Sequence, residues 1–186
     1  MEANQHNGIE LIEKAQNGNK DAFGQLFDRY FNKIFKYLLV RCGSSELAED
    51  LAENVFLKAW MHLPSFKAVD GKVQFQAWLF RIAHNMLVDF YRTKKDALSL
   101  EDHPNEVRDD KHPEYEIIKK EDQVNMIEAV RSLDELSQQV IICRFHSGLS
   151  HRETSQVLGI GEGNVRVIQF RALKKLKELI RDDDDK

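Results

Sequence analysis

The chain is poor in cysteine, proline and glycine. Its 186 residues include two cysteines, three prolines and nine glycines. Cys42 and Cys143 are far apart and form no CxxC pair, so the sequence holds no zinc-site pattern. Both lie among apolar residues, which favours small buried side chains over a redox role. Because breakers are sparse and β-branched runs are short, we expect helices throughout.

Long apolar runs are also missing. None approaches the roughly 18 residues of a membrane-spanning helix. The first residues, "MEANQHNG", lack the positive and then apolar order of a secretory signal. We therefore expect a cytoplasmic protein without direct membrane insertion. The net charge of −4 excludes a protein that is basic all over, but nucleic-acid binding depends on the local field and needs only a basic segment.

The motifs of common enzyme classes are absent too. The sequence has no P-loop, no HExxH and no GxSxG. His84 and Asp89, and likewise His146 and His151, are five residues apart, which puts neither pair on one helix face. We therefore expect no enzyme activity, no metal and no cofactor. A helical enzyme or metalloprotein is the weakest interpretation of this chain.

Helical periodicity fills the first half of the chain. Ser44 or Ser45 is suited to cap a helix, and Pro64 marks a loop. We predict an all-α protein whose first domain, residues 1–96, is a helical bundle. Apolar residues recur there at helical spacing in three stretches, 22–38, 48–59 and 75–90.

An acidic stretch separates this domain from a second one. Residues 99–122 hold nine Asp or Glu, four Lys or Arg and two of the three prolines. Such a segment buries too little apolar surface to fold alone, so we predict a flexible acidic linker at 97–123. A second helical domain is predicted at 124–181. The acidic tail, 182–186, reads DDDDK and matches an enterokinase cleavage site, so it is left out of the fold prediction.

The second domain contains the pattern of two helices joined by a tight turn. "SHRE" at 150–153 fits the S-x-x-E capping box, and Gly159 suits the left-handed position after a helix. Six Lys or Arg against two Glu follow between Glu162 and Arg181. This order is typical of a helix-turn-helix, whose second helix enters the major groove of DNA. The alternative is an ordinary amphipathic helix with a solvated charged face.

Side chains off the apolar stripe of the second helix are the candidates for contact with duplex DNA. Arg166 and Gln169 are suited to base edges, since arginine pairs bidentately with guanine and glutamine with adenine. Lys174 and Lys175 are better placed for phosphates. The predicted duplex-binding residues are Arg152, Glu162, Asn164, Arg166, Gln169, Arg171, Lys174 and Lys175.

Two motifs of the first domain carry a family resemblance. They are "AEDLAENVFLKAW" at 48–60 and "FQAWLFRIAHNMLVDFYRTKK" at 75–95. Together with the basic helix, they resemble the extracytoplasmic-function (group 4) sigma factors of bacterial RNA polymerase, within the sigma-70 family. The resemblance covers about residues 15–181. It implies a non-enzymatic subunit that binds core polymerase, recognises the −35 and −10 promoter elements, melts the −10 region and directs initiation.

The resemblance also implies which residues act in the first domain, sigma region 2. The helix at 48–60 would dock on the clamp helices of the largest polymerase subunit, although Phe56 and Trp60 are explained equally well as core. The residues implied in this contact are Asp50, Glu53, Asn54 and Phe56. The loop at 64–72 and the following helix would bind the −10 element through Phe66, Lys72, Arg81, His84, Asn85, Arg92, Lys94 and Lys95.

Several neighbouring residues are expected to be structural. Phe75 and Trp78 lie on the apolar stripe and are expected in the core, and Asp89 is expected to pair with Arg92. Ser137 stands where the family often has proline, so we expect a serine cap there.

The second domain would be sigma region 4, which reads the −35 element. Ser155 and Gly161 replace a usual alanine and a usual Ser or Thr cap. Glu53, in the first domain, stands for a usual glutamine.

The resemblance implies further partners and one competing interpretation. The polymerase flap would be a second contact on core, and the protein would direct transcription of a stress or envelope regulon under the control of an anti-sigma factor. The competing interpretation is a free-standing helix-turn-helix regulator that binds an operator without polymerase. The motifs at 48–60 and 75–95 argue against that regulator.

The resemblance implies that the acidic linker threads toward the active centre and RNA exit path of the polymerase. Its negative charge would let it occupy a channel built for nucleic acid, until growing RNA displaces it. Replacing residues 99–122 with a neutral tether is expected to change initiation and promoter escape in transcription reactions with core polymerase. Unchanged initiation and escape would identify the linker as a passive tether.

Overall fold

The computed structural model describes residues 2–67, 74–100 and 129–184, and the side chains of 8–67, 74–96 and 129–179. Within these ranges every regular element is a helix, which confirms the all-α prediction. The chain divides into two compact units, Met1–Val107 and Arg108–Lys186. The predicted linker is almost entirely outside the described residues, as are Lys72 and the end of the tail.

Four α-helices make up the described part of the first unit. Asn19 Oδ1 accepts from Ala22 N at 2.9 Å and caps the second helix, and Ser44 Oγ accepts from Leu47 N at 3.3 Å and caps the third. Gly43 ends the second helix at φ 73°, a left-handed conformation that glycine adopts without steric cost. The helices are α1 (Glu2–Gln16), α2 (Lys20–Cys42), α3 (Ser45–His62), followed by a 3₁₀ turn (Leu63–Ser65), and α4 (Phe75–Leu100).

Helix α2 is the centre of this unit, because α1, α3 and α4 all pack against it. Helix α3 packs against both α2 and α4, and its Ala48, Ala52 and Ala59 are fully buried. Small residues of this kind let neighbouring helix backbones approach closely. The fully buried large side chains of the unit include Leu26, Ile34, Tyr37, Leu38, Val55, Leu63, Leu79, Phe80 and Leu87.

The second unit begins, in its described part, with a helical segment at 129–131 and a capped helix. Asp134 caps that helix, since its Oδ1 accepts from Ser137 N at 3.0 Å. The expected serine cap at Ser137 is therefore wrong: an aspartate three residues earlier takes the role. The elements that follow are α5 (Glu135–Ile141), a π-helical turn (Ile142–His146), α6 (His151–Leu158) and α7 (Glu162–Asp184).

Helices α6 and α7 form the predicted helix-turn-helix. Ser150 and Glu153 complete a reciprocal capping box at the start of α6, with bonds of 3.1 and 2.8 Å. Gly159 ends α6 at φ 68°. A hydrogen bond also crosses the turn, since Ser155 Oγ donates to the carbonyl of Ile160 at 2.6 Å. We call this bond the tie across the turn. The residue that departs from the family pattern therefore adds a bond across the turn.

The core of the second unit joins the first described helix, α5 and α7. Leu133, Ile141, Ala172 and Leu176 form one buried cluster, with Ala129 and Val130 packed against it. Val157 on α6 and Val165 on α7 are also buried. Phe145 lies in the π-helical turn and is 57% exposed.

The cap at Asp134 makes stability depend on pH. Hydrogen bonds from the side chain and backbone of Ser137 lower the pKa of Asp134. A carboxyl whose pKa is lower in the folded state stabilises the fold above its unfolded pKa of about 3.9 and loses that contribution as pH falls through the folded value. Asp134→Ala should cost about 1 kcal/mol at pH 7 in urea unfolding, and less in strong acid. An equal cost at both pH values would contradict the charged cap.

Two neighbouring hydroxyls of α6 test the tie across the turn. Ser155 Oγ is bonded, whereas the Oγ1 of fully buried Thr154 has no partner among the described residues. Ser155→Ala should lower the free energy of unfolding by about 1 kcal/mol, because a bond within the protein is lost. Thr154→Val is the matched control, and it should leave stability unchanged or raise it. The tie is refuted if both variants behave alike.

Candidate functional site

One face of α3 is exposed and carries both carboxylates and apolar side chains. Asp50, Glu53 and Asn54 are exposed as predicted, and Leu57 and Met61 are 59% and 66% exposed. Spacings of three and four residues place these five side chains on neighbouring turns of one face. Asn54 Nδ2 donates to its own helix, to the carbonyl of Asp50 at 2.8 Å. The face therefore combines two acidic side chains, an amide and two large apolar groups.

Phe56 does not belong to this face. It is 3% exposed, and its ring centroid lies 4.8 Å from that of Phe27, 6.0 Å from Phe31 and 6.4 Å from Phe23. This burial favours the alternative that Phe56 is a core residue over direct contact with a partner. Trp60 is partly buried and packs on Phe23 at 4.9 Å.

A second exposed stripe runs along α4. Arg81, Asn85, Arg92 and Lys95 are exposed and recur at intervals of four, seven and three residues, so they share one side of the helix over about 21 Å. Lys94 is exposed but lies off this stripe. Val88, 44% exposed, lies on the stripe between Asn85 and Arg92, and Tyr91, 43% exposed, precedes Arg92; sequence reasoning missed both.

Two predicted members of the α4 site are engaged inside the first unit. His84 is partly buried, with its Nδ1 3.4 Å from the hydroxyl of buried Tyr37. Arg92 pairs with Asp89 at 3.1 Å, as expected. Both side chains of that pair are largely exposed, so the pair is weak and Arg92 can exchange it for another anion.

The segment after α3 is held at its base by aromatic packing and an amide. Phe66 lies 5.7 Å from Phe75 and 4.9 Å from Trp78, and Phe75 is buried as expected. Gln16 Nε2 donates to the carbonyls of Leu63 and Phe66 at 3.1 and 2.7 Å. These contacts place Phe66 as a packed side chain at the start of the predicted loop.

The exposed side of α7 is basic and has an aromatic centre. Arg166, Arg171, Lys174, Lys175 and Lys177 are all exposed. Phe170 is 72% exposed, and it is flanked by Val167 at 47% and Leu173 at 40%. Sequence reasoning missed these three, although their positions off the buried stripe at 165, 172 and 176 were available as a signal. The large apolar side chain of Phe170 is therefore exposed to solvent and surrounded by positively charged side chains.

Most polar side chains of α7 have partners in the folded unit. Arg166 Nη2 lies 2.5 Å from a carboxylate oxygen of Glu162, one turn away, and both groups remain substantially exposed. Lys175 Nζ donates to the carbonyl of Ser132 at 3.3 Å. Gln169 is partly buried, and its Oε1 accepts from Arg144 Nε at 2.9 Å. Asn164 is exposed, whereas Arg152 on α6 is partly buried.

Little in the described residues supports a reactive cysteine or a metal-binding site. Burial raises the pKa of the Cys42 thiol, which keeps it protonated and unreactive, and Cys143 is fully buried. Among residues 8–67, 74–96 and 129–179, no three His, Cys, Asp or Glu side chains form a metal-binding group. No helix in the described part of the chain is long and apolar enough to span a membrane.

Two protein-family models match the chain. Sigma-70 region 2 matches residues 26–97, and sigma-70 region 4 matches residues 129–178. The first match covers α3 and most of α2 and α4, and the second covers α5, α6 and most of α7. The acidic face of α3, the exposed stripe on α4 and the basic side of α7 therefore all lie inside matched regions.

Individual relatives extend the match over nearly the whole chain. The ECF RNA polymerase sigma factor BldN of Streptomyces coelicolor is 35% identical over 179 residues, covering 94% of this chain and 66% of that protein. The ECF RNA polymerase sigma-E factor of Haemophilus influenzae is 30% identical, with 92% and 94% covered. Among solved structures, CnrH in complex with the cytosolic domain of CnrY has a TM-score of 0.68 at 27% identity, with 93% and 96% covered.

These matches agree with the resemblance that the two sequence motifs and the basic helix carry. The Haemophilus relative reaches 30% identity over almost its full length, so the likeness is not confined to the helix-turn-helix. The chain therefore belongs to the sigma-70 family, as an extracytoplasmic-function sigma factor of bacterial RNA polymerase.

Proposed function

We propose that this sigma factor docks on core polymerase through the exposed face of α3, contacts the −10 element through α4 and reads the −35 element through α7. As a member of its family, the protein is a non-enzymatic subunit that directs core polymerase to promoters. The observation that carries the site assignment is an excess of opposite charge on different helices. On α3 the exposed carboxylates outnumber the one exposed lysine, Lys58, whereas exposed cations outnumber exposed carboxylates on the described parts of α4 and α7.

The face of α3 suits a basic helical partner with apolar side chains. Asn54 donates one amide proton to the carbonyl of Asp50, and the carboxylates of Asp50 and Glu53 are exposed beside it. These carboxylate acceptors match arginine and lysine, which only donate, while exposed Lys58 adds one cation beside Leu57. Leu57 and Met61 replace Phe56 as the apolar part of the contact, since exposed side chains can be buried on binding.

The stripe on α4 suits a single nucleic-acid strand. Arg81, Arg92 and Lys95 supply positive charge, and Asn85 can hydrogen-bond to an unstacked base. Tyr91 adds a half-exposed ring on which a base can stack. Lys94 lies to one side and is better suited to a flanking phosphate. Because Phe66 is packed on Phe75 and Trp78, its proposed role is to hold the base of the −10 loop.

The exposed side of α7 suits the major groove. Arg166 and Arg171 can reach base edges and phosphates, and Arg166 can leave Glu162 because that pair is solvent-exposed. Phe170 lies between them, and a large apolar group in the major groove can contact the methyl group of thymine. Lys174 and Lys175 face phosphates, Asn164 adds a polar contact near the helix start, and Arg152 approaches from α6.

We also propose a cytoplasmic location and control by an anti-sigma factor. The location follows from the partner, since core polymerase and promoter DNA are cytoplasmic. Support for a protein inhibitor comes from CnrH, a similar chain whose structure was solved with the cytosolic domain of CnrY. A free-standing regulator is the weaker account, because it would have no use for a region 2 domain.

The α3 interface is tested by co-elution with bacterial core polymerase on size-exclusion chromatography. Asp50→Arg combined with Met61→Glu should abolish co-elution, because the change puts a cation among the acceptors and a charge in the apolar contact. Asp28→Arg makes the same charge reversal on an exposed residue of α2, and it should bind like wild type. Circular dichroism should show all three proteins equally helical.

Phe56→Ala separates the core role from the contact role. It should destabilise the first unit by about 3–5 kcal/mol, because a buried ring is removed, and any loss of binding should follow the loss of folded protein.

Normal co-elution of the α3 double variant would reject the proposed interface. Failure of folded wild type to bind core polymerase would reject the proposed docking altogether.

A further inference from the structure

Arg144 joins two parts of the helix-turn-helix that are far apart in sequence. Its side chain is partly buried and starts from the π-helical turn before α6. Arg144 Nε donates to Gln169 Oε1 at 2.9 Å, in the middle of α7. Arg144 Nη1 donates to the carbonyl of Leu149, the residue just before the Ser150 cap of α6. One guanidinium therefore holds the start of α6 and the middle of α7.

The chemistry of arginine decides how the Gln169 amide is turned. A guanidinium carries only donors, so the group that faces Arg144 must be the oxygen of Gln169 and not its NH₂. A bidentate contact with adenine needs both ends of the amide at the base edge. Here the oxygen end is turned toward Arg144 and the side chain is partly buried.

Arg144 lies within the π-helical turn. The backbone N of Ser147 donates to the carbonyl of Ile142 at 2.9 Å, which is the i to i+5 bond of a π-helix. The widened turn changes the direction of the side chains after it. π-helical turns are frequent at functional sites, and this one precedes the helix-turn-helix directly.

We propose that Arg144 and Gln169 form an internal clamp that fixes the angle of α7 against α6. Gln169 is then a positioning residue for −35 readout and not a base reader, which corrects the adenine contact expected from sequence. The side chains that contact the bases are then those exposed on the same helix, Arg166, Phe170 and Arg171. The inference rests on the proposed function of α7 in binding duplex DNA.

The test uses full-length chain bound to core polymerase and a promoter library randomised over the −35 element. Sequencing of the bound fraction gives base preferences, and titration of one selected promoter gives affinity. The variants are Gln169→Glu, Gln169→Met, Arg144→Met and the double Arg144→Met/Gln169→Met. Gln156→Glu makes the same charge change on α6, at a glutamine that is not hydrogen-bonded to Arg144, and serves as the charge control.

The clamp predicts rescue by the conservative variant. Gln169→Glu keeps an oxygen for Arg144, so its affinity should be within about threefold of that of Gln156→Glu, with base preferences as in wild type. Gln169→Met and Arg144→Met should each bind about tenfold more weakly, again with unchanged preferences. The double variant should be no weaker than Arg144→Met, because either single change already opens the clamp.

Three results would overturn the clamp. The first is a changed base preference at one −35 position in Gln169→Glu, which is the signature of direct readout. The second is Gln169→Glu binding as weakly as Gln169→Met. The third is an Arg144→Met or Gln169→Met variant as tight as wild type. If wild type selects no −35 sequence, the proposed role of α7 fails instead, and a double-mutant cycle on unfolding decides the clamp: additive effects reject it.

Discussion

Backbone groups at helix ends must find hydrogen-bond partners, and this requirement governs how the described helices are joined. Each α-helix leaves its first amides and last carbonyls unpaired. At the starts of α2, α3, α5 and α6, a backbone N–H donates a hydrogen bond to a capping side chain. The four caps are Asn19, Ser44, Asp134 and Ser150, respectively. Because each cap acts within three residues, it fixes where a helix begins and which side of it faces the core.

Burial then decides which side chains are left for partners. Phe56 fills the aromatic core between α2 and α3, so the neighbouring turn of α3 presents Leu57 and Met61 instead. On α7 the small and medium residues Ala172 and Val165 face inward, and Phe170 faces solvent. Each unit thus buries one side of its helices and keeps large apolar groups on the other. Exposed groups of this kind are unfavourable in water and favour association.

Local chemistry made much of the fold predictable. Ser44, Ser150 and Gly159 act as expected because a cap or a left-handed residue depends on only a few neighbours. Asp134 also fits a cap position, since it precedes Ser137 by three residues, whereas the family pattern points to a cap at Ser137 itself. The position of Phe56 one residue after Val55 and three before Ala59 also indicated the core. There the periodicity of the helix was the better guide than the motif.

Contacts between distant residues could not be predicted in the same way. Arg144 and Gln169 are 25 positions apart, and Arg144 lies in a π-helical turn that no simple residue spacing predicts. The bonds from Gln16 to Leu63 and Phe66 cross about 50 positions, and they depend on how α1 lies against the end of α3. Such pairs follow from tertiary packing, and the sequence alone shows only that each residue can hydrogen-bond.

The π-helical turn has a consequence for how this segment can change in evolution. A turn of this kind is an α-helix with one residue inserted. Deleting one residue from Ile142–His146 would restore the α-helical register and rotate α5 by about 100° relative to α6. Arg144 would then lose its reach toward Gln169 and Leu149 together. Substitution should be tolerated at exposed Phe145 and His146 but not at buried Ile142 and Cys143 or at Arg144, and the length of the segment should stay constant among descendants that keep the same helix-turn-helix.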